Sequence, residues 1–86
     1  MPYIKQERRR EFDKCLSNIG VRLQNKGELN YCFTMLCKWY ISRHGQNYQN
    51  LSDCGAALID ARDEWYRREV IPYEDKKIEE NGDCEL

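Results

Sequence analysis

Apolar residues recur along this chain at helical spacing in three places, and nowhere at the two-residue alternation of a half-buried strand. Over about Lys5 to Gln24, Phe12, Leu16, Ile19 and Leu23 repeat at four, three and four residues, with Cys15 beside them. This predicts an amphipathic first helix whose last turn is weakened by Gly20. The "NKG" at 25–27 breaks the pattern. A second helix is predicted from about Glu28, whose charge suits a helix N-terminus. Leu29, Phe33, Leu36 and Tyr40 form its stripe, and Cys32, Met35, Cys37, Trp39 and Ile41 widen it past half the circumference. That breadth makes it the central helix. Gly45 after His44 fits the end of a helix.

A third helix is predicted with Asn50 as its cap and Asp53 three residues on, an approximate capping box. Leu51, Cys54, Leu58, Ala61 and Trp65 form its seam, with Ile59, Tyr66 and Val70 on a neighbouring face. Pro72 is expected to end it, because proline lacks the donor and its ring strikes the preceding turn. Beyond lies "YEDKKIEENGDCEL", acidic and nearly without apolar residues. The expected fold is therefore all-α: a three-helix bundle over residues 1–72 with a C-terminal acidic arm over 73–86.

Charge sharpens that picture. The 86 residues carry a net charge of -1, but residues 1–26 hold seven basic and three acidic groups, while 73–86 hold two basic and six acidic. The two ends are opposite poles, which favours docking of the arm or self-association. Tyr73 and Ile78 are the arm's candidate anchors, with Arg8 and Arg9 as the basic surface that receives its acids. Helices two and three also carry more apolar face than a small bundle can cover, so a homo-oligomer is expected, for instance a dimer with exchanged arms. The rival reading of the arm is a disordered acidic tail, which its composition permits.

Several chemistries are disfavoured. Five cysteines are an odd number, and Cys32 and Cys37 would stand about 140° apart on a helix, unlike a paired metal motif. Cys15, Cys32, Cys37 and Cys54 read as small hydrophobes on apolar stripes. Cys84 reads as an exposed thiol without a role. The lone His44 is tied to no cysteine by any motif, and no phosphate-binding or nucleophile-elbow motif is present, so no catalytic residue, metal or cofactor is expected. The three arginines at 8–10 fan around their helix, Arg8 towards Glu11 and Arg9 towards Asp13, and the sequence pI of about 5.8 disfavours nucleic acid. No stretch approaches the apolar length of a membrane span or a signal peptide, so a reducing cytoplasm is the expected setting.

The stretch "EWYRREVIPYEDKK" is the candidate for ligand or partner binding. Trp65, Tyr66 and Tyr73 stand among Arg67, Arg68, Lys76 and Lys77, combining flat rings with forked and point cations. The same residue types dominate protein interfaces, and they also suit an anionic, nucleotide-like small molecule. The plainer reading makes Trp65 seam core, with Asp63–Arg67 and Glu64–Arg68 as ordinary ion pairs on a solvated face.

Four segments, G-E-L-N-Y at 27–31, Y-Q-x-L at 48–51, W-Y-R-R at 65–68 and P-Y-E-D-x-K-I-x-E-N-G-D at 72–83, resemble a family of small proteins from tailed bacteriophages and prophages. An M-P-Y-I opening is the one likeness in the first 26 residues, and the cysteine richness is a departure. The resemblance implies a phage setting in the host cytoplasm, where such proteins modulate host machinery or sequester small signals. It transfers no residue roles.

Overall fold

A computed structural model describes residues 2–84, so Met1 and the last two residues of the acidic arm lie outside it. The described chain is all-α, in three helical rods. The first is α1 (Gln6–Gly20) and the second α2 (Lys26–His44). The third is one continuous rod made of α3 (Tyr48–Trp65), a single π turn (Tyr66–Val70) and α4 (Ile71–Asn81).

Local chemistry sets these boundaries. α1 stops at Gly20, where the backbone tightens into turns: Arg22 N–H donates to the Ile19 carbonyl and Leu23 N–H to that of Gly20. α2 starts earlier than Glu28. Asn25 is its cap, accepting from the Glu28 N–H at 2.9 Å, while the Glu28 carboxylate reaches back to the Gln24 N–H at 2.8 Å. This reciprocal pair satisfies donors that a helix start would otherwise leave open. Its other end closes as expected, at Gly45 with φ 103°, a conformation that only glycine adopts freely.

α3 is capped by Asn47 in place of Asn50. Asn47 Oδ1 accepts from the Asn50 N–H at 2.8 Å. Asn50 instead turns its side-chain amide towards the end of α2, donating to the Gly45 carbonyl at 2.9 Å. Asp53 accepts from Gln49. The α2–α3 corner is thus tied from both sides by asparagines.

Pro72 does not end the helix. The Ile71 N–H bonds to the Tyr66 carbonyl, five residues back, so the ladder widens by one residue just before the proline. A proline in a regular α-helix leaves a carbonyl unpaired and strikes it with the ring. The π turn opens the backbone at that point and lets the helix run on. The arm therefore leaves the body as a helix, ending at Gly82 with φ 90°.

α2 and α3 are the one pair of separate helices in close backbone contact among the described residues. Leu36, Cys37 and Tyr40 face Asp53, Cys54 and Ala57 across an open groove. α1 meets α2 at a corner where Ile19 and Leu23 approach Tyr31 and Cys32. None of the described residues is buried. A compact monomer of 10.4 kDa would show about 5,400 Å² to solvent, whereas this chain shows 8165 Å². Its radius of gyration is 16.8 Å, against about 12 Å for a compact chain of this length. The long rod accounts for the shape: residues 48–81 span about 51 Å by helical rise, equal to the molecule's longest extent of 51 Å.

Asn47→Ala removes the cap of α3 and should cost about 1 kcal/mol. Urea unfolding at fixed protein concentration measures this, and an unchanged midpoint would show that α3 starts without its cap.

Candidate functional site

The candidate residues all lie on the long rod, around the π turn. Trp65 ends α3, Tyr66, Arg67 and Arg68 are within the π turn, and Tyr73 and Lys76 follow on α4. Trp65 is 61% exposed, so it is not seam core in this chain.

Glu64 organises the cations. Its carboxylate accepts from Arg67 and lies 3.9 Å from Arg68 Nε, and its side chain is only 14% exposed. The expected Glu64–Arg68 pair is present. The expected Asp63–Arg67 pair is not: Asp63 pairs with Arg62 at 3.3 Å, and Arg67 turns to Glu64 at three-residue spacing.

Two guanidinium groups stack on rings. Arg62 lies 3.9 Å from the centroid of Tyr66, one helical turn on, and Arg68 lies 5.6 Å from that of Tyr3. Tyr3 arrives from the other end of the sequence. The extended N-terminal segment crosses the rod, and Pro2 and Tyr3 line a shallow recess with Ala61, Glu64, Trp65 and Arg68. Arg9 fastens that segment by donating from Nε to the Ile4 carbonyl at 2.8 Å. Tyr3, Glu64, Trp65 and Arg68 thus share one side of the rod, whereas Arg67 lines a separate recess with Asp60 and Asp63 and Tyr66 turns to Arg62.

The arm-docking residues are placed differently from expectation. Arg8 pairs with Glu11, as anticipated, and its guanidinium stands over Phe12 at 5.1 Å. Arg9 holds Ile4 and not Asp13. Both arginines serve their own end of the chain, and α4 does not fold back on α1 within this copy. Tyr73 and Ile78 stay 58% and 43% exposed. Tyr73 is paired with Lys77, at 5.5 Å from ring centroid to ammonium, and not with Lys76.

Sequence reasoning missed Arg62, although it sits four residues from Tyr66 and was open to a spacing argument. Tyr3 carried no such signal, because its place depends on how the N-terminus crosses the rod.

Elsewhere, the His44 ring stacks on Tyr40 at 4.4 Å. The Cys54 thiol points to the Cys37 carbonyl at 3.9 Å. Desolvation, then the contact with Cys37 and the nearby Asp53 charge, raise its pKa from the ordinary value. Among the described residues no cluster of histidine, cysteine and carboxylate side chains is arranged to hold a metal ion. Nor is any helix among them long and apolar enough to cross a membrane.

Comparison with known families places 84 of the 86 residues, 1–84, within one sequence family. The chain belongs to the family described as Domain of unknown function (DUF6899). No curated protein and no solved structure matches it. The match takes in α1, the rod and α4 together, so the acidic helix belongs to the family's domain along with the rest.

Glu64 competes with any anion for Arg67 and Arg68. Glu64→Gln should therefore tighten binding of an anionic probe such as ATP by several-fold, the effect of removing a charge contact worth about 1 kcal/mol. Fluorescence titration of both proteins checks it. Equal affinities would show that Glu64 does not compete, and no binding by either would show that these forks do not grip anions.

Proposed function

We propose that this DUF6899 protein is a non-enzymatic accessory binding protein of phage type, acting in the host cytoplasm on a host or structural protein partner. One observation carries the reading: Trp65, Tyr66, Arg67, Arg68 and Tyr73 are exposed around a projecting rod, with Trp65 and Arg68 lining a shallow recess and not the wall of an enclosed cleft. Tryptophan, tyrosine and arginine give interfaces most of their binding energy, because they bring large area with few rotors and directed charge. The sole histidine, engaged with Tyr40, and the Cys54 thiol, turned to a carbonyl, are both spent on structure, which supports a non-enzymatic role.

A second reading is favoured by the Arg62–Tyr66 and Arg68–Tyr3 stacks. Rings and guanidinium planes together suit an anionic, nucleotide-like small molecule, with phosphates on the forks and a base on a ring. In that reading the protein is an oligomer that sequesters the ligand, using Arg67, Arg68, Tyr66, Tyr73 and Lys76.

Affinity capture from a bacterial lysate separates the two when run beside a thermal-shift screen with nucleotides. A protein retained by the wild type, and weakened about 30-fold or more in Trp65→Ala, is the expected outcome for a central interface residue. Retention unaffected by Trp65→Ala would overturn the first reading. Stabilisation by a nucleotide that is lost in Arg67→Ala would establish the second.

A further inference from the structure

We propose that the open apolar faces of α2 and the long rod are covered by a second copy of this chain, and that the folded protein is an obligate homo-oligomer. The chain exposes about 2,800 Å² more than a compact monomer of its mass. The excess lies on the helices that should form a core. Phe33 and Leu36 on α2 are 46% and 54% exposed, and Leu58 on α3 is 43% exposed.

α2 runs 19 residues, about 28 Å, and meets the rod at Asn50 and along the groove at Asp53, Cys54 and Ala57. Among the described residues, the rod has no helical neighbour from the π turn onward. α4 continues the rod without a second helix against it, and most helical stability in proteins comes from packing an apolar face against a neighbour.

Area decides what that is. Two copies that each cover the other's excess would bury about 5,500 Å² in total, the range of obligate assemblies and well beyond that of transient encounters. A chain with no buried residue among those described cannot wait, folded, for an occasional host partner. A second copy is present whenever the first is made. Charge agrees. The net charge of -1 gives two copies little to repel, and the basic residues 1–26 of one copy attract the acidic residues 73–86 of the other. The docking that α4 does not make within its own chain is then made between chains, with Ile78 as the apolar anchor.

This proposal does not depend on which partner or ligand the Trp65–Arg68 surface takes. The test is sedimentation equilibrium of the full chain through a dilution series, with far-UV circular dichroism on the same samples. The expected particle is a whole multiple of 10.4 kDa whose helicity falls as it dissociates. Leu58→Asp should shift dissociation and unfolding together to at least tenfold higher concentration, whereas Tyr48→Asp, at a side chain 85% exposed, should leave both unchanged. A helical 10.4 kDa monomer across the series would overturn the proposal. So would a Leu58→Asp chain with wild-type mass and melting, or a particle holding one copy with a different protein.

Discussion

Helices of this length are held by the apolar area they remove from water, at roughly 25 cal/mol per Å². Here the supply of such area and the means to cover it are out of balance. α2 carries apolar side chains around more than half its circumference, yet a single neighbour can cover only one side of a helix. α3 lies against Cys37 and Tyr40 of α2, while Phe33, Leu36 and Trp39 stay 46%, 54% and 68% exposed. The remaining interactions follow from this shortfall. Asparagine caps and exposed ion pairs fix where helices begin and how they meet, but exposed pairs contribute about 1 kcal/mol or less each and cannot replace a core.

The candidate surface sits where this shortage is felt most. Beyond the groove at Ala57, the N-terminal segment with Pro2 and Tyr3 lies against the rod. Tyr3 takes one face of Arg68, while Glu64 beneath holds the edges of Arg67 and Arg68. These contacts order the guanidinium groups before any ligand arrives, which lowers the side-chain entropy that binding has to overcome. They also set a threshold, because an incoming carboxylate or phosphate must displace Glu64 to gain both forks.

Much of the fold was legible in the sequence, since helical spacing at Phe12–Leu23, Leu29–Tyr40 and Leu51–Trp65 reports the burial each helix seeks, whichever molecule supplies the cover. The breadth of the α2 stripe was legible for the same reason. Cap identity was harder: Asn47 and Asn50 are equally good residue types, and the choice turns on which of them can also reach the end of α2. Of the site, Trp65 to Arg68 could be picked out by type and clustering. The stacks that organise it could not all be found, because Tyr3 reaches Arg68 across more than sixty residues of sequence. The run of helix through Pro72 was misread because a rule for regular α-helix was applied where the ladder changes its step.

That change of step ties the parts of the molecule together. A π turn inserts one residue, so everything beyond it is rotated by about 100° from where a regular helix would place it. Single π turns are rare and lie frequently at functional sites. In this rod the turn comprises Tyr66 to Val70, the centre of the Trp65–Arg68 surface, and it precedes the acidic helix. The turn thus sets the angle about the rod axis at which α4 presents Ile78 and its acids. A straight rod with alanine at 72 could satisfy every backbone group more cheaply. The proline and its widened turn make sense if the direction of α4 matters, and an acidic helix carrying Ile78 has no use for a set direction unless another surface is there to meet it.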